Sequence, residues 1–282
     1  MRFLLFLILP ASLLAGQLPV TEGLLLDLDA NKGVSLEDGN KVFQWENQAP
    51  GKSARLFVKQ DQGRKTPGSG RPTLRTKIDS LNGLNSLVFR QGELVNHDED
   101  TFDSLSTGSG HTWITVIAVH QQRVGLKDVN SFFGNLRNGK KYEGIWGGLE
   151  DDNTLWASPR NGLTFGRFDK NNPLLKGPKI AEHRFYVIAG RMNAGTGLVK
   201  TELFVNSPVA IASGQFPINP KANPSKFTIG QERDAINHPG HESFDGEIAR
   251  FLVYQRPLKD DELKTAIEHL VAHYRIKVDT KR

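Results

Sequence analysis

Short runs of apolar and β-branched residues recur along almost the whole chain, and Gly, Asn, Asp or Pro separates each run from the next. The pattern predicts twelve strands, at 23–30, 41–47, 84–91, 111–120, 130–136, 141–150, 154–160, 162–168, 183–192, 198–207, 226–231 and 246–254. Runs of this spacing are typical of an all-β sandwich or barrel, because βαβ units would place helices between the strands. We expect a single β-domain over residues 17–282.

Alternation within the runs predicts two sheets that pack face to face. In the first run, Leu24 and Leu28 lie on one side of the strand, and Asp27 and Asp29 lie on the other. The run at 111–120 is apolar on both sides, so we expect it in the middle of a sheet. The expected architecture is an antiparallel sandwich of two sheets.

The last part of the chain has a different periodicity. In the segment 258–274, apolar residues recur every three or four positions, as on one face of a helix. Asp260, Asp261 and Glu262 favour the positive end of that helix, and Asp260 is the expected cap. The sequence therefore predicts one C-terminal amphipathic helix packed on the sandwich.

The first sixteen residues have the three parts of a secretory signal: a basic start, an apolar run over 3–14, and small residues at 15 and 16. We expect residues 1–16 to be removed and the protein to be secreted, either to the periplasm or to the exterior. Elsewhere no apolar run approaches the roughly 20 residues of a membrane-spanning helix, so no membrane span is expected.

The amino-acid composition excludes several kinds of site and partner. The chain has no cysteine, which excludes disulfides, thiolate metal sites and a cysteine nucleophile. The net charge is +5, and the basic residues are scattered rather than clustered on one face. Together with the predicted export, this argues against nucleic acid as a partner. A mild positive charge is compatible with acidic polysaccharides as partners.

A family resemblance is carried by GLLLDLDA, GNKVFQWENQA, LNGLNSLVF and KFTIGQ, and most specifically by FDGEIARFLVYQRPL with the helix after it. Together these segments resemble the laminin-G-like (LamG) branch of the concanavalin A-like lectin/glucanase superfamily, as found in secreted bacterial proteins. The resemblance covers nearly all of residues 17–282. It implies a jelly roll of two antiparallel sheets, one of them concave, and it implies glycan or protein binding more often than catalysis.

Catalytic candidates are weak. Glucanases of this superfamily carry a Glu-x-Asp-x-x-Glu run, which this chain lacks. The nearest substitute is Asp27 with Asp29, whose spacing puts both carboxylates on one strand face about 7 Å apart. That separation suits an inverting hydrolase, in which the two carboxyl groups lie roughly 6.5 to 9.5 Å apart. An Asx turn at the end of the strand is the alternative explanation for Asp29.

Two acidic loops could hold Ca²⁺, which takes roughly 6 to 8 oxygen ligands. One loop contains Asp98 and Asp100, and the other contains Asp151 and Asp152. Calcium binding at the rim of related lectin domains raises this expectation, and solvated acidic loops are the alternative. No cofactor is required for the expected function.

A second metal-like pattern lies in NHPGHES, where His238, His241 and Glu242 form half of a conceivable Zn²⁺ or Cu²⁺ site. The His-Glu-x-x-His helix of zinc proteases is absent, and Pro239 and Gly240 make the segment a loop. We therefore interpret it as a surface turn.

Aromatic residues concentrate between 141 and 160, and proteins bind sugars by stacking the C–H faces of the sugar on flat rings. The predicted ligand-binding residues here are Tyr142, Trp146 and Trp156, with Arg160 beside them. Glycines at 144, 147 and 148 would leave room for a ligand. Packing in the core is the alternative for both tryptophans.

The last predicted strand adds two more candidates. Alternation gives it one apolar face, consisting of Ala249, Phe251 and Val253, and one mixed face, consisting of Ile248, Arg250, Leu252 and Tyr254. If the mixed face lies on the concave side, Arg250 and Tyr254 would bind ligand. Many relatives carry an acidic residue where this chain has Arg250.

Three functions follow from these observations. The first is a secreted carbohydrate-binding, lectin-like domain, with anionic polysaccharides as one class of ligand. The second is a glycoside hydrolase or polysaccharide lyase of the same fold. The third is a surface adhesion or structural protein with other envelope proteins as partners. The missing catalytic run favours the first.

Overall fold

The computed structural model describes residues 17–51, 53–123, 130–137, 139, 141–166, 168–233 and 240–278. The strands are β1 Leu24–Asp29, β2 Val34–Glu37, β3 Lys41–Glu46, β4 Leu56–Lys59, β5 Thr73–Ile78, β6 Leu84–Arg90, β7 Leu94–Val95, β8 His111–Val119, β9 Asn130–Gly134, β10 Glu143–Leu149, β11 Thr154–Asn161, β12 Leu175–Lys179, β13 Phe185–Met192, β14 Leu198–Val205, β15 Ala210–Pro217, β16 Thr228–Ile229 and β17 Asp245–Tyr254. A 3₁₀ turn covers Asp79–Leu81, and the helices are α1 Ser104–Thr107 and α2 Asp260–His273.

All ladders between these strands are antiparallel, and they join the strands into one 17-stranded sheet. From β15 the ladders run through β14, β13 and β8 to the long strand β17. The other edge of β17 pairs with β1 and with β6. From β6 the order continues through β5, β3, β4, β7, β16, β9, β10 and β11 to β12.

The two ends of this strand order lie against each other, so the sheet is nearly closed and resembles a barrel. The side chain of Leu175 in β12 is 3.2 Å from the position that a Cβ on Gly214 of β15 would occupy. The prediction of a two-sheet jelly-roll sandwich is therefore wrong, although the all-β class is correct. Alternation shows which face of a strand is buried. It does not show which strands pair with each other at the edge of a sheet. Here β4, β5 and β7, all outside the predicted runs, continue the sheet from β6 through β3 to β16.

Two apolar clusters fill the molecule, one on each face of the strands β8, β13 and β17. The larger cluster lies inside the curled sheet, with Trp113 and Phe251 among its members. The second lies outside β8 and β17, under α2, and includes Ile114 and Leu252. Every residue of β8 is buried, as the sequence predicts for a central strand.

Helix α2 lies where the periodicity places it, and Leu263, Ala266, Ile267 and Leu270 are its buried residues. Burying a large apolar side chain is worth about 1.5 to 3 kcal/mol, so this face holds the helix on the sheet. The predicted cap at Asp260 is wrong. The carboxylate of Glu262 accepts the backbone N–H of Lys259 at 2.8 Å instead. Within the described part of the chain, no helix has the length and hydrophobicity to cross a membrane.

Candidate functional site

Side chains of the hairpin formed by β10 and β11 point alternately to the interior and to the outer face of the sheet. Residues Ile145, Leu149 and Leu155 enter the large interior cluster. Trp146 and Trp156 point the other way and form, with Leu136, a separate small cluster on the outer face. Strict alternation along two paired strands produces this division.

A cavity of about 430 Å³ opens on this outer face. Its lining combines three aromatic rings with carboxylates and one guanidinium: Leu136, Tyr142, Trp146, Arg160, Phe165, Gly166, Glu232 and Glu242. This volume is within the usual range of roughly 300 to 1,000 Å³ for small-ligand sites, and a mostly apolar lining with a few polar groups is their usual character. The structure thus brings three sequence-predicted site residues, Tyr142, Trp146 and Arg160, into one pocket.

Trp156 supports the pocket without lining it. Its ring packs against that of Trp146 in a T-shaped contact, with centroids 4.5 Å apart. A Cβ on Gly148 would lie 2.5 Å from the Trp156 ring, and a Cβ on Gly147 would lie 2.6 Å from the Phe133 ring. The room that these two glycines provide is therefore occupied by the protein's own rings, and the prediction that it would serve a ligand is wrong.

Arg160 connects the pocket to the loop that follows β11. Its Nη2 atom donates to the backbone carbonyls of Phe165 and Gly166, both at 3.0 Å. The segment 162–168, predicted as a strand, forms no strand in its described residues. The loop places Phe165 at the rim, where it is 62% exposed and contacts Tyr142 at a centroid distance of 5.5 Å. Arg160 also lies over the Tyr142 ring, at 4.8 Å.

Glu232 and Glu242 are pocket residues that the sequence analysis did not identify as ligand-binding. Arg233 forms ion pairs with both of them, to Glu232 through Nη1 and to Glu242 through Nη2, the latter at 2.6 Å. Its guanidinium also lies 5.8 Å from the centroid of the Tyr142 ring. The sequence signal for Glu232 is a charged pair directly after the run 226–231, which is common on surfaces, and the signal for Glu242 is only the metal half-site pattern in NHPGHES.

Among the polar atoms of the pocket-lining residues, Trp146 Nε1 and Glu232 Oε2 have no hydrogen-bond partner within the described part of the chain. Trp146 is 2% exposed and Glu232 is 3% exposed. Buried donors and acceptors are nearly always paired, and one left unpaired costs about 1 to 3 kcal/mol. A ligand that supplies a partner to each atom would recover that free energy.

The other predicted residues lie in a different place, under helix α2. Arg250 donates from Nε and Nη2 to the two carboxylate oxygens of Asp27, both at 2.8 Å, and its Nη1 is 3.9 Å from Asp29. All three side chains are nearly inaccessible to solvent. Burial alone would lower the pKa of Arg250, but the hydrogen bonds and charge of Asp27 outweigh burial and raise it well above its ordinary value. The predictions of a catalytic Asp27 and a ligand-binding Arg250 are therefore wrong.

Asp29 and Tyr254 also have structural partners. Asp29 Oδ1 accepts the backbone N–H of Asn31 at 2.9 Å, which confirms the Asx turn and removes Asp29 as a catalytic candidate. The Tyr254 hydroxyl donates to the carbonyl of Val20 at 2.9 Å, and burial raises the pKa of that hydroxyl far above its ordinary value. Tyr254 is fully buried and ties the N-terminal segment to β17, so its predicted ligand-binding role is wrong.

The acidic loops make local contacts. Asp98 accepts from the Thr101 hydroxyl, and Asp152 accepts the backbone N–H of Thr154 at 2.9 Å. Asp151 lies within 3.5 Å of the Asn130 amide. Within the described ranges, no three His, Asp or Glu side chains are grouped as metal ligands, and no such group forms around Asp100. Calcium binding remains a prediction.

Some sequence predictions lie outside the described residues. The signal segment 1–16 and His238 are among them. Of the half-site in NHPGHES, His241 is exposed, and Glu242 is engaged by Arg233.

No family model matches the chain, and no curated protein matches it. Among solved structures, the chain is similar to a Trypanosoma rangeli sialidase in complex with sialic acid, at 15% identity and a TM-score of 0.52 over 89% of this chain and 33% of the sialidase. The Ruminococcus gnavus IT-sialidase CBM40 bound to α2,3 sialyllactose is similar at 15% identity and a TM-score of 0.47, over 67% of this chain and 95% of that one. The chain thus spans about a third of the sialidase, and the likeness concerns the fold alone. The laminin-G-like assignment remains a prediction.

Proposed function

We propose that this protein is a carbohydrate-binding domain and that its binding site is the pocket on the outer face of β10 and β11. The observation that carries the proposal is the combination of Tyr142, Trp146 and Phe165 around one cavity with the polar atoms of buried side chains beside them. Flat rings offer apolar area at low entropic cost, and a few polar groups fix the orientation of the ligand.

The fold likeness to a sialidase solved with sialic acid agrees with a carbohydrate ligand in general. The signal-like residues 1–16 add the proposal that the protein works outside the cytoplasm, where polysaccharides are accessible. The ring of Phe165 is largely exposed at the rim, which suits a surface that meets a chain rather than a fully enclosed small molecule.

The test is affinity electrophoresis in gels that contain neutral or acidic polysaccharides. We expect the wild type to be retarded by at least one polysaccharide and Tyr142→Ala to lose about 10-fold or more in affinity, since removal of one stacking ring costs roughly 1 to 3 kcal/mol. Phe168→Ala is the matched control, because Phe168 is also an exposed ring on the same loop but does not line the pocket. Failure of every polysaccharide to retard the wild type would contradict the proposal.

A second candidate is hydrolysis of a glycan in the same pocket, with Glu232 and Glu242 in place of Asp27 and Asp29. The observation that favours it is that two carboxylates line one sugar-sized cavity. Both are ion-paired to Arg233, however, whereas an acid and a base need different environments. Release of reducing ends by the wild type, abolished in Glu232→Gln, would support hydrolysis over binding alone.

A further inference from the structure

The charge of the pocket limits the class of sugar that it can take. Among the residues that the structure describes, the charged groups lining the cavity are the carboxylates of Glu232 and Glu242 and the guanidinium of Arg160. The neighbouring Arg233 is engaged by both carboxylates. Arg160 directs two hydrogen bonds to the backbone carbonyls of residues 165 and 166. Both guanidiniums are thus held by acceptors of the chain itself.

A carboxylate or sulfate placed next to Glu232 would meet a like charge on a buried side chain. Glu232 is 3% exposed, and like charges interact strongly where water cannot screen them. An anionic sugar could pair with Arg233 only by displacing it from its two carboxylates, and the Arg160 guanidinium already donates to two backbone carbonyls. Placing such a charge beside a buried carboxylate is a common means by which a site rejects a competing ligand.

A sugar hydroxyl, in contrast, fits both unpartnered atoms. Glu232 Oε2 can accept an O–H, and Trp146 Nε1 can donate to a hydroxyl oxygen. Each hydroxyl both donates and accepts, so sugar hydroxyls can pair with both atoms, and the Tyr142 and Phe165 rings at the rim offer a stacking surface. Hydrogen bonds to a charged group are also stronger than those between neutral groups.

We infer that the ligand of this pocket is an uncharged, hydroxyl-rich sugar, bound through Glu232 and Trp146, and not an acidic one. The inference rests on the proposed function and replaces the expectation of anionic polysaccharides drawn from the net charge. That charge acts over the whole surface, whereas selection between ligands takes place in the pocket.

The experiment compares ligands that differ only in charge. Methyl-esterified and de-esterified homogalacturonan share one backbone, and neutral xylan, β-glucan and galactomannan are run beside alginate and chondroitin sulfate. All binding is measured at about 0.5 M salt, where attraction between surface charges is screened within about 4 Å. We expect retention on at least one neutral polymer, and at least 10-fold weaker retention on every acidic one.

Two variants test whether the pocket is responsible for the selectivity between neutral and acidic polysaccharides. Glu232→Gln keeps the shape of the side chain but removes its charge. Affinity for the neutral polysaccharide should therefore fall about 10-fold, and the difference in affinity between neutral and acidic polysaccharides should become smaller. Trp146→Phe removes only the N–H donor and should weaken neutral binding about 5-fold. Glu268→Gln is the control, because Glu268 is exposed on α2 and pairs only loosely with Lys264, at 4.0 Å.

The outcomes separate the two proposals. Equal or stronger retention on acidic polymers at 0.5 M salt, lost in Tyr142→Ala, would leave carbohydrate binding in place and overturn the inference of an uncharged ligand. No retention on any polymer would overturn both. Neutral retention that Glu232→Gln and Trp146→Phe leave unchanged would overturn the assignment of these two residues.

Discussion

The molecule has two sites built from the same residue types, and they differ in what covers them. Under α2, an arginine, a tyrosine and carboxylates are buried, with Arg250 bonded to Asp27 and the Tyr254 hydroxyl bonded to the Val20 carbonyl. On the outer face of β10 and β11, an arginine, a tyrosine and carboxylates surround an open cavity. The comparison shows that residue type alone does not mark a binding site. The difference lies in access, because the group under α2 is closed off from solvent whereas a cavity opens on the other group.

The largest effect should follow from breaking the buried ion pair. Arg250→Met leaves Asp27 buried without its partner, and such losses cost about 3 to 5 kcal/mol of unfolding free energy. Urea denaturation measures this cost, and Arg55→Met is the control, because the Arg55 side chain is 74% exposed and pairs with Glu46 only at 3.4 Å. Glycan affinity per folded molecule should not change. A loss of affinity in Arg250→Met with native stability would place the binding site under α2.

The next effect concerns pH and a histidine in the interior. Burial lowers the pKa of His111 to about 4, partly opposed by its hydrogen bond to the Leu105 carbonyl. Between about pH 6.5 and 4 the unfolded chain binds a proton that the native chain does not, so stability falls as the pH falls through this window, by roughly 3 kcal/mol in total. Urea titrations from pH 7 to 4 measure it. The loss of stability from pH 7 to 4 should be smaller by roughly 3 kcal/mol in His111→Leu than in the wild type, and unchanged in His241→Gln.

Replacement of Arg160 tests the role of the pocket and of the loop at its rim. Arg160→Met removes the two bonds that hold the loop carrying Phe165, so the loop should exchange amide hydrogen faster and glycan affinity should fall about 10-fold. Stability should fall by about 1 to 3 kcal/mol, less than for Arg250→Met, because Arg160 bonds carbonyls rather than a buried carboxylate. An unchanged affinity with a freed loop would show that Phe165 takes no part in binding.

The smallest effect has the opposite dependence on pH. Burial, with the nearby charge of Asp100, raises the pKa of Asp103 to about 6. Between about pH 4 and 6 the native chain holds a proton that the unfolded chain releases, so this group lowers stability as the pH rises. The side chain is partly solvated, so the effect should be about 1 kcal/mol. Asp103→Asn should be more stable than the wild type at pH 7 and equally stable at pH 3.5, as judged by thermal melting.

Much of the fold can be predicted from local patterns, and the exceptions have physical causes. The all-β class and helix α2 follow from periodicity, and the buried strand β8 follows from its apolar residues on both sides. The sheet topology does not follow, because it depends on short strands such as β7, Leu94–Val95, whose two residues carry no periodic signal.

The last strand shows how alternation fails locally. Its register against β8 shifts between Ile248 and Arg250, which places an extra residue in the strand. Ile248 therefore enters the interior cluster and Ala249 faces the helix, the reverse of their predicted faces. A bulge of this kind depends on the neighbouring strand, so the sequence of the strand itself does not reveal it.

The candidate site could be predicted only in part, for a related reason. Tyr142, Trp146 and Arg160 lie close together in sequence, and their clustering on one hairpin was predictable. In the sequence, Arg250 has the character of a binding residue. In the structure it is paired with Asp27, which lies 223 positions away. Glu232 and Glu242 reach the pocket from the segment between β16 and β17, and no local pattern connects that segment to β10.

The most direct test of the central claim is amide hydrogen exchange with and without a saturating neutral polysaccharide fragment that binds the wild type. We predict slower exchange at residues 142–146, 160–166 and 231–233, around the pocket, and unchanged exchange at residues 24–29 and 250–254, under α2. Protection of residues 24–29 and 250–254, with none around the pocket, would contradict the account.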